Sequence, residues 1–338
     1  MKFTISSRRY SRTFIHPLKT AKGVWTQREG FLIQLESDGR RGYGEVAPIP
    51  EFGTESLSEA ADFLHGVGVE AELESFSVPE SLPCCSFAFS SALAAFEVGV
   101  GVETDRHFSL AGLLPSGVDA LRVLAEKQAA GFNCFKWKIG VESFDSEWRL
   151  FRNLLAESAP ECRFRLDANA SLSSTETRAW LESIRSSGSE DRIEFIEQPM
   201  PVGSESQMAN LSKSFGIPIA LDESLNGAEG HRWLLPETWS GPRVLKPCLL
   251  GSIATLEHRL AAISSHCVFS SSFETSIGLA QCLKLAHNLY PSPLRLPFAL
   301  GFDTQSAFGD SFGLNDSLPK LSLDLVEPSL NRIVNHAF

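Results

Sequence analysis

Five charged residues recur at near-regular intervals through the middle of this chain, each at the end of a short apolar run. Lys138 ends Cys134-Phe135-Lys136-Trp137-Lys138, and Asp167 follows Arg165-Leu166. Glu197 follows Phe195-Ile196, Asp222 follows Ala220-Leu221, and Lys246 follows Val244-Leu245. Successive separations are 29, 30, 25 and 24 residues, each close to the roughly 30 residues of a strand–helix–strand unit. Three carboxylates converging from neighbouring strands, without cysteine or histidine, form a hard oxygen site that suits Mg²⁺, with Mn²⁺ tolerated. Lysines on strands four apart in an eight-stranded barrel stand on opposite sides of that site. A carboxylate substrate held at the cation has its α-carbon flanked by two potential bases, so the implied reaction is proton abstraction α to a carboxylate. Lys136 and Lys138 share one face of an extended strand. Taken alone, that pair has two readings: an edge strand with a solvated face, or a buried pair relieved by a lowered pKa or by nearby carboxylates.

The elements that would position these residues are legible as alternating apolar runs and amphipathic segments. The spacing predicts strands over 108–113, 134–139, 163–169, 193–198, 217–222, 243–247, 268–273 and 298–303, with helices over 119–130, 147–157, 175–185, 206–215, 253–263 and 277–290. Eight short apolar strands with helical crossovers describe a (β/α)8-type, modified TIM barrel, which carries its chemistry at the carboxyl ends of the strands. An open doubly wound sheet is the competing arrangement; the chain has neither the G-x-G-x-x-G nor the Walker pattern that would favour it. Ahead of the barrel, residues 1–105 read as an α+β capping domain. Strands Phe31–Glu36 and Arg41–Val46 flank a Ser37-Asp38-Gly39 turn, and helices are expected over 56–64 and 86–98. The polar segment from Pro17 to Gly30 reads as a mobile loop, a lid. Residues 106–303 form the barrel, and 304–338 an irregular C-terminal segment whose Leu321–Val326 stretch returns as a strand to pack on the capping domain.

Composition narrows the class. The chain has 338 residues, 43% apolar and 21% charged, with ample material for a large core. A formal net charge of −11 argues against nucleic-acid or anionic-membrane partners, which require basic surface, and does not exclude a small carboxylate substrate, which feels the local field of its site. No stretch is long and apolar enough to span a bilayer, and Met1 to Arg9 lacks the apolar region of a signal peptide. Seven cysteines without metal-ligand spacing read as reduced core residues, so a cytoplasmic location is expected. The sequence leaves the oligomeric state open.

The full set of motifs resembles the enolase superfamily in its lysine-x-lysine group, and within it the o-succinylbenzoate synthase family. The residues that carry the resemblance are Gly42-Tyr43-Gly44-Glu45-Val46-Ala47-Pro48, Phe135-Lys136-Trp137-Lys138-Ile139-Gly140, Arg165-Leu166-Asp167-Ala168-Asn169, Val244-Leu245-Lys246-Pro247 and Ser270 through Leu279. The resemblance implies Mg²⁺ held by Asp167, Glu197 and Asp222. It implies syn dehydration of 2-succinyl-6-hydroxy-2,4-cyclohexadiene-1-carboxylate to 2-succinylbenzoate, in menaquinone or phylloquinone biosynthesis. Lys138 then takes the α-proton and returns it to the departing hydroxyl, Lys246 stays cationic beside the enediolate, and Lys136 lowers the Lys138 pKa by proximity. Loops at Lys19–Trp25 and Pro50–Gly53 would close over the succinyl arm. The rival on the same scaffold is an N-succinylamino acid racemase or dipeptide epimerase. Dipeptide epimerases of the group carry paired aspartates at the eighth strand, where this chain has only Asp303. None of the eight histidines falls at a strand end, against branches that use a histidine base.

Supporting residues carry two readings each. Arg165 either orients Asp167 or makes a plain ion pair, and Asn169 and Glu223 are either partners of the ligands or ordinary strand-end polarity. Ser270, Ser271 and Ser272 either hold a substrate carboxylate or form a polar turn. Trp137 points away from its lysine neighbours into the core.

Overall fold

The computed structural model describes residues 1–20, 23–96, 104–291, 296–314 and 316–338. The capping domain begins with a long antiparallel hairpin, β1 (Lys2–Thr20) and β2 (Gly23–Ser37), followed by β3 (Arg40–Val46). Asp38 and Gly39 both take left-handed backbone angles, φ 50 and 74, as a two-residue hairpin turn between right-twisted strands requires. Helix α1 (Leu57–Val67) starts at a Ser56/Glu59 capping box. Strand β4 (Glu70–Glu72) completes a sheet of order β3-β2-β1-β4, and α2 (Pro83–Leu93) packs on it. A Cβ at Gly44 would lie 2.1 Å from the Ala88 carbonyl oxygen, so glycine is what lets α2 approach β3 this closely.

The barrel follows. After β5 (Phe108–Ser109), which lies outside the parallel ladder, its strands are β6 (Gly112–Leu114), β7 (Cys134–Lys138), β8 (Arg163–Asp167), β9 (Ile193–Glu197), β10 (Ile219–Ala220), β11 (Arg243–Leu245) and β12 (Cys267–Phe269), with Leu300 and Gly301 bridging at the eighth position. Between them run α3 (Asp119–Ala129), α4 (Phe144–Glu157), α5 (Ser174–Ser187), α6 (Glu205–Phe215), the single turn α7 (Gly227–Gly230) and α8 (Ile253–Ala261); α9 (Ser276–Leu289) follows β12. Strands β6 to β10 form one parallel sheet and β11 pairs with β12 in parallel. Parallel bridges Leu221–Arg243, Ser270–Gly301 and Leu110–Leu300 close the circle, which settles the choice against an open sheet. Alternation in β7 makes the architecture plain. Phe135 and Trp137 are buried in the layer between strands and helices, Trp137 stacking on Phe151 at 5.9 Å, while Lys136 and Lys138 face inward.

Three expectations need correction. Residues 17–20 and 23–30 are the distal parts of the two hairpin strands, with Leu18 paired to Trp25 beyond a bulge, because the polar residues alternate on a two-stranded ribbon. Ala21 and Lys22, at the tip of the expected lid, lie outside the described residues, as does Val98 at the expected end of the second helix. The C-terminal segment is not irregular: after β13 (Lys320–Leu321), which pairs with β5, residues Leu323–Ala337 form helix α10. Its apolar residues recur with helical period, Leu323, Val326 and Ile333 being buried, so Leu321–Val326 is not a strand. Within the first predicted strand, Phe108–Ser109 leaves the barrel ladder to pair with β13.

The two domains are joined by buried charge. The Glu45 carboxylate, wholly buried at the end of β3, accepts from Thr275 N (2.9 Å), Thr275 Oγ1 (2.6 Å), Gly278 N (3.0 Å) and the Tyr10 hydroxyl. It therefore satisfies donors at the N-terminus of α9, where the helix dipole favours an anion. Arg28 of β2 donates to carbonyls of Ala47, Pro48 (2.8 Å) and Ser272 (3.0 Å), knotting the hairpin, the Pro48 loop and the end of the seventh strand. Glu45→Ala strands several of these buried donors and is expected to destabilise the fold by on the order of 3 kcal/mol in urea unfolding. A stability loss no larger than that of a surface control would remove Glu45 as the clasp.

Candidate active site

Parallel register sets the charged strand ends side by side. Lys138 pairs with Asp167 across β7 and β8, and Asp167 with Glu197 across β8 and β9. The second pairing depends on a bulge: Phe164 pairs with Ile193 but Arg165 with Phe195, so β9 spends one extra residue, Glu194. The slip turns Phe195 and Glu197 inward beside Arg165 and Asp167. Below them, Phe195, Ala220, Val244 and Val268 form an apolar floor.

All three carboxylates are buried, Asp167 and Asp222 at 6% exposure and Glu197 at 1%. Lys136 Nζ lies 2.8 Å from Asp167 Oδ2 and 2.8 Å from Glu197 Oε1, and Lys246 Nζ contacts Asp222 Oδ1. Two ammonium groups thus neutralise three carboxylates. Burial and the charge of Asp167 push the Glu197 carboxyl up to about 8 even against Lys136. Burial opposes the charge on Lys136, but Asp167, Glu197 and Asp222 outweigh it and hold that ammonium above its ordinary range. Among the described residues the carboxylate oxygens do not form a ready cation cage, because they are turned onto the lysines. The donor set nonetheless fits a hard divalent cation: it is all oxygen, it is buried, and its repulsion is already answered by positive charge at the same place.

Strain collects at the strand ends. Asn169 (φ 45), Ala170 (φ 59), Gln198 (φ 33) and Phe273 (φ 63) all hold left-handed backbone angles without being glycine. They follow β8, β9 and the seventh strand, where chain must turn sharply while aiming side chains inward. The loop after Lys138 is fixed otherwise. Buried Glu147 of α4 accepts from three successive amides, Gly140 N (2.8 Å), Val141 N (2.8 Å) and Glu142 N (3.0 Å).

The supporting residues divide. Asn169 donates its backbone N–H to Asp167 Oδ1 at 2.9 Å and its side chain to Glu223 Oε1 at 3.3 Å, so both stand among the ligand candidates. Burial, with Asp222 and Asp167 nearby, raises Glu223 to about 7, and its Oε2 is buried without a hydrogen bond. Arg165 is not bonded to Asp167. It pairs with Glu194 and donates to Ala299 O at 2.7 Å, one layer deeper in the barrel, since residues two apart on a strand occupy successive layers. Ser271 and Ser272 direct their hydroxyls to Glu274 (3.0 and 3.2 Å) rather than into the mouth, and Ser270 ends the strand beside Gly301. Lys136 is engaged with carboxylates and not merely adjacent to Lys138.

Sequence reasoning missed Glu194, Glu147 and Gln198, and reached Phe52 only as part of the Pro50–Gly53 loop. Phe52, from the Pro50–Phe52 turn, lies under Lys246 Nζ at 5.2 Å, and Trp25 of β2 packs behind it with ring centroids 6.0 Å apart, so the capping domain reaches the lysine through Phe52. Plain alternation counted back from Glu197 puts Glu194 on the outer face, so the bulge hides it from the sequence. Arg165→Met is expected to cost about 3 kcal/mol by leaving Glu194 without its cation, and Arg165→Met with Glu194→Gln to recover most of it. Additive losses in urea unfolding would mean that the two residues are not a pair.

Comparisons with known proteins bear on the family and the fold. The family model described as Enolase C-terminal domain-like matches residues 120–301, and that of the MenC N-terminal domain matches residues 14–96. The chain is 33% identical over 298 residues to an o-succinylbenzoate synthase of Thermosynechococcus vestitus, covering 87% of this chain and 90% of that one. The crystal structure of o-succinylbenzoate synthase from Thermosynechococcus elongatus BP-1, complexed with Mg in the active site, superposes with TM-score 0.80 and 29% identity, covering 97% of this chain and 99% of that one. The L-Ala-D/L-Glu epimerase of Bacillus subtilis shares the fold, with TM-score 0.74 at 18% identity, covering 90% of each chain.

Proposed function

The chain belongs to the o-succinylbenzoate synthase family of the enolase superfamily, and from that premise we propose that it dehydrates 2-succinyl-6-hydroxy-2,4-cyclohexadiene-1-carboxylate to 2-succinylbenzoate. This is an aromatising step of menaquinone or phylloquinone biosynthesis. The observation that carries the proposal is that five charged strand ends meet at one mouth of a closed barrel, with lysine ammonium groups in contact with all three carboxylates.

Asp167, Glu197 and Asp222 would hold Mg²⁺, with Asn169 steadying Asp167. When bound, the cation supplies positive charge for the oxygen that becomes an enediolate as the α-proton leaves. Lys138 in its neutral form takes that proton. The ring C–O bond then breaks, Lys138 returns the proton to the departing hydroxyl on the same face, and water leaves with the ring aromatic. Lys246, across the barrel, stays protonated and faces the developing negative charge, with the Phe52 ring beside it and Trp25 behind that ring. Lys136 supplies further positive charge to the carboxylates. Seven unpaired, buried cysteines fit a reducing cytoplasm, and no described helix is long and apolar enough to cross a membrane.

Asp303 bears on the epimerase alternative. It is 7% exposed and accepts from Leu113 N (2.8 Å), Lys127 and Ser317, so its charge is spent within the protein rather than offered to a substrate ammonium.

Purified protein incubated with the cyclohexadiene substrate should convert it to the aromatic product with Mg²⁺ present, stop on chelation with EDTA and resume when Mg²⁺ is restored. No Mg²⁺-dependent turnover would sink the synthase reading. Lys138→Ala and Lys246→Ala should each lower kcat by at least about a hundredfold with an unchanged circular dichroism spectrum. Near-normal activity in either would overturn its assigned role.

A further inference from the structure

The parallel ladder between the fourth and fifth strands is short, pairing only Ile219 with Ile196 and Ala220 with Glu197. Asp222 lies beyond it, at φ −130 and ψ −73, outside the extended geometry that a ladder would impose. Sheet pairing on this strand ends with the Leu221–Arg243 bridge, one residue short, so something further must fix where the Asp222 carboxylate starts.

The residue placed to do so is Gln198. It is fully buried, so it meets no substrate, and it holds a left-handed φ of 33. Its side-chain Oε1 accepts from Asp222 N at 3.0 Å and Ser224 N at 3.2 Å. Its Nε2 donates to Ser224 Oγ at 2.8 Å and Met200 O at 3.1 Å. The Ser224 hydroxyl passes on to buried Glu205 Oε1 at 2.6 Å. The Gln198 main chain is equally occupied, its N–H on Ala220 O (2.8 Å) and its carbonyl receiving Ala170 N (2.7 Å). One amide residue therefore joins the three loops that carry Asp167, Glu197 and Asp222.

We infer that Gln198 is a positioning residue that sets the spacing of the three carboxylates through Asp222 and Ser224, an inference that rests on their reading as ligands of a divalent cation. An amide is the group that fits. Two backbone N–H groups need an acceptor, and a carbonyl and a hydroxyl need a donor, on one side chain. Glutamate would bring a further negative charge and no donor, and methionine would fill the space while leaving both amides unpaired. Partners one bond removed from ligands commonly control metal affinity because they orient what they hold.

The test is Mn²⁺ binding to metal-free protein, followed by the EPR signal of the free ion, with Mg²⁺ as competitor and thermal midpoints measured in parallel. Gln198→Met should weaken Mn²⁺ binding about 10- to 100-fold, and Ser224→Ala, which keeps the amide and loses the relay, by a smaller factor. Gln281→Met removes a buried amide bonded to Tyr43 O at 3.1 Å, far from the carboxylates, and should lower the thermal midpoint while leaving Mn²⁺ affinity unchanged. Should Gln198→Met not fold, Ser224→Ala decides. Wild-type affinity in the variants, with lowered midpoints, would overturn the positioning role alone. Wild-type protein that binds neither ion would overturn the ligand reading, and this inference with it.

Discussion

Three carboxylates pressed together inside a barrel repel one another, and the rest of the site is arranged around that repulsion. At an effective dielectric of about 20, like charges 4 Å apart cost roughly 4 kcal/mol, before any desolvation. Lys136 and Lys246 answer that cost by contact with Asp167, Glu197 and Asp222. A divalent cation would answer it better, bringing two charges to one point and, on the proposed mechanism, freeing Lys246 to face a substrate. Lysines that serve as counterions in one state and act on substrate in another need a fold that keeps the carboxylates in place through the exchange.

The fold supplies this with backbone rather than with bulk. Four non-glycine residues in left-handed conformations mark the turns after the third, fourth and seventh strands, and each is held by hydrogen bonding or packing that leaves little choice. Phe273, for example, donates its N–H to Ser271 Oγ at 2.9 Å and packs its ring against Phe14 and Phe308. The capping domain adds Glu45 and Arg28, which fasten the hairpin and the Pro48 loop to the end of the seventh strand. The segments that cover Lys246 are thereby tied to the barrel that positions it.

Much of this is legible in the sequence, for physical reasons. Strand ends are readable because an apolar run that stops at a charge has one sensible place in a barrel, and the two-residue Asp38-Gly39 turn because few backbones accept consecutive left-handed angles. Side-chain destinations are less readable. Arg165 shares a face with Asp167 but bonds Glu194, because a bulge that no residue pattern announces turns Glu194 inward. Ser271 and Ser272 suit an anion, and they find one in Glu274, three and two residues along the chain. The hairpin from Pro17 to Gly30 looks like loop because a ribbon with two exposed faces lacks the apolar alternation that betrays a half-buried strand, and α10 hides behind Pro328, which sits inside the helix.

The most direct measurement is the anomalous density of crystals soaked in Mn²⁺. One peak bounded by Asp167, Glu197 and Asp222, with the Lys136 and Lys246 ammonium groups withdrawn from the oxygens they now contact, is the expected result. A map with no peak there, and both lysines still paired to the carboxylates, would contradict the view that these ammonium groups hold the place of a metal ion.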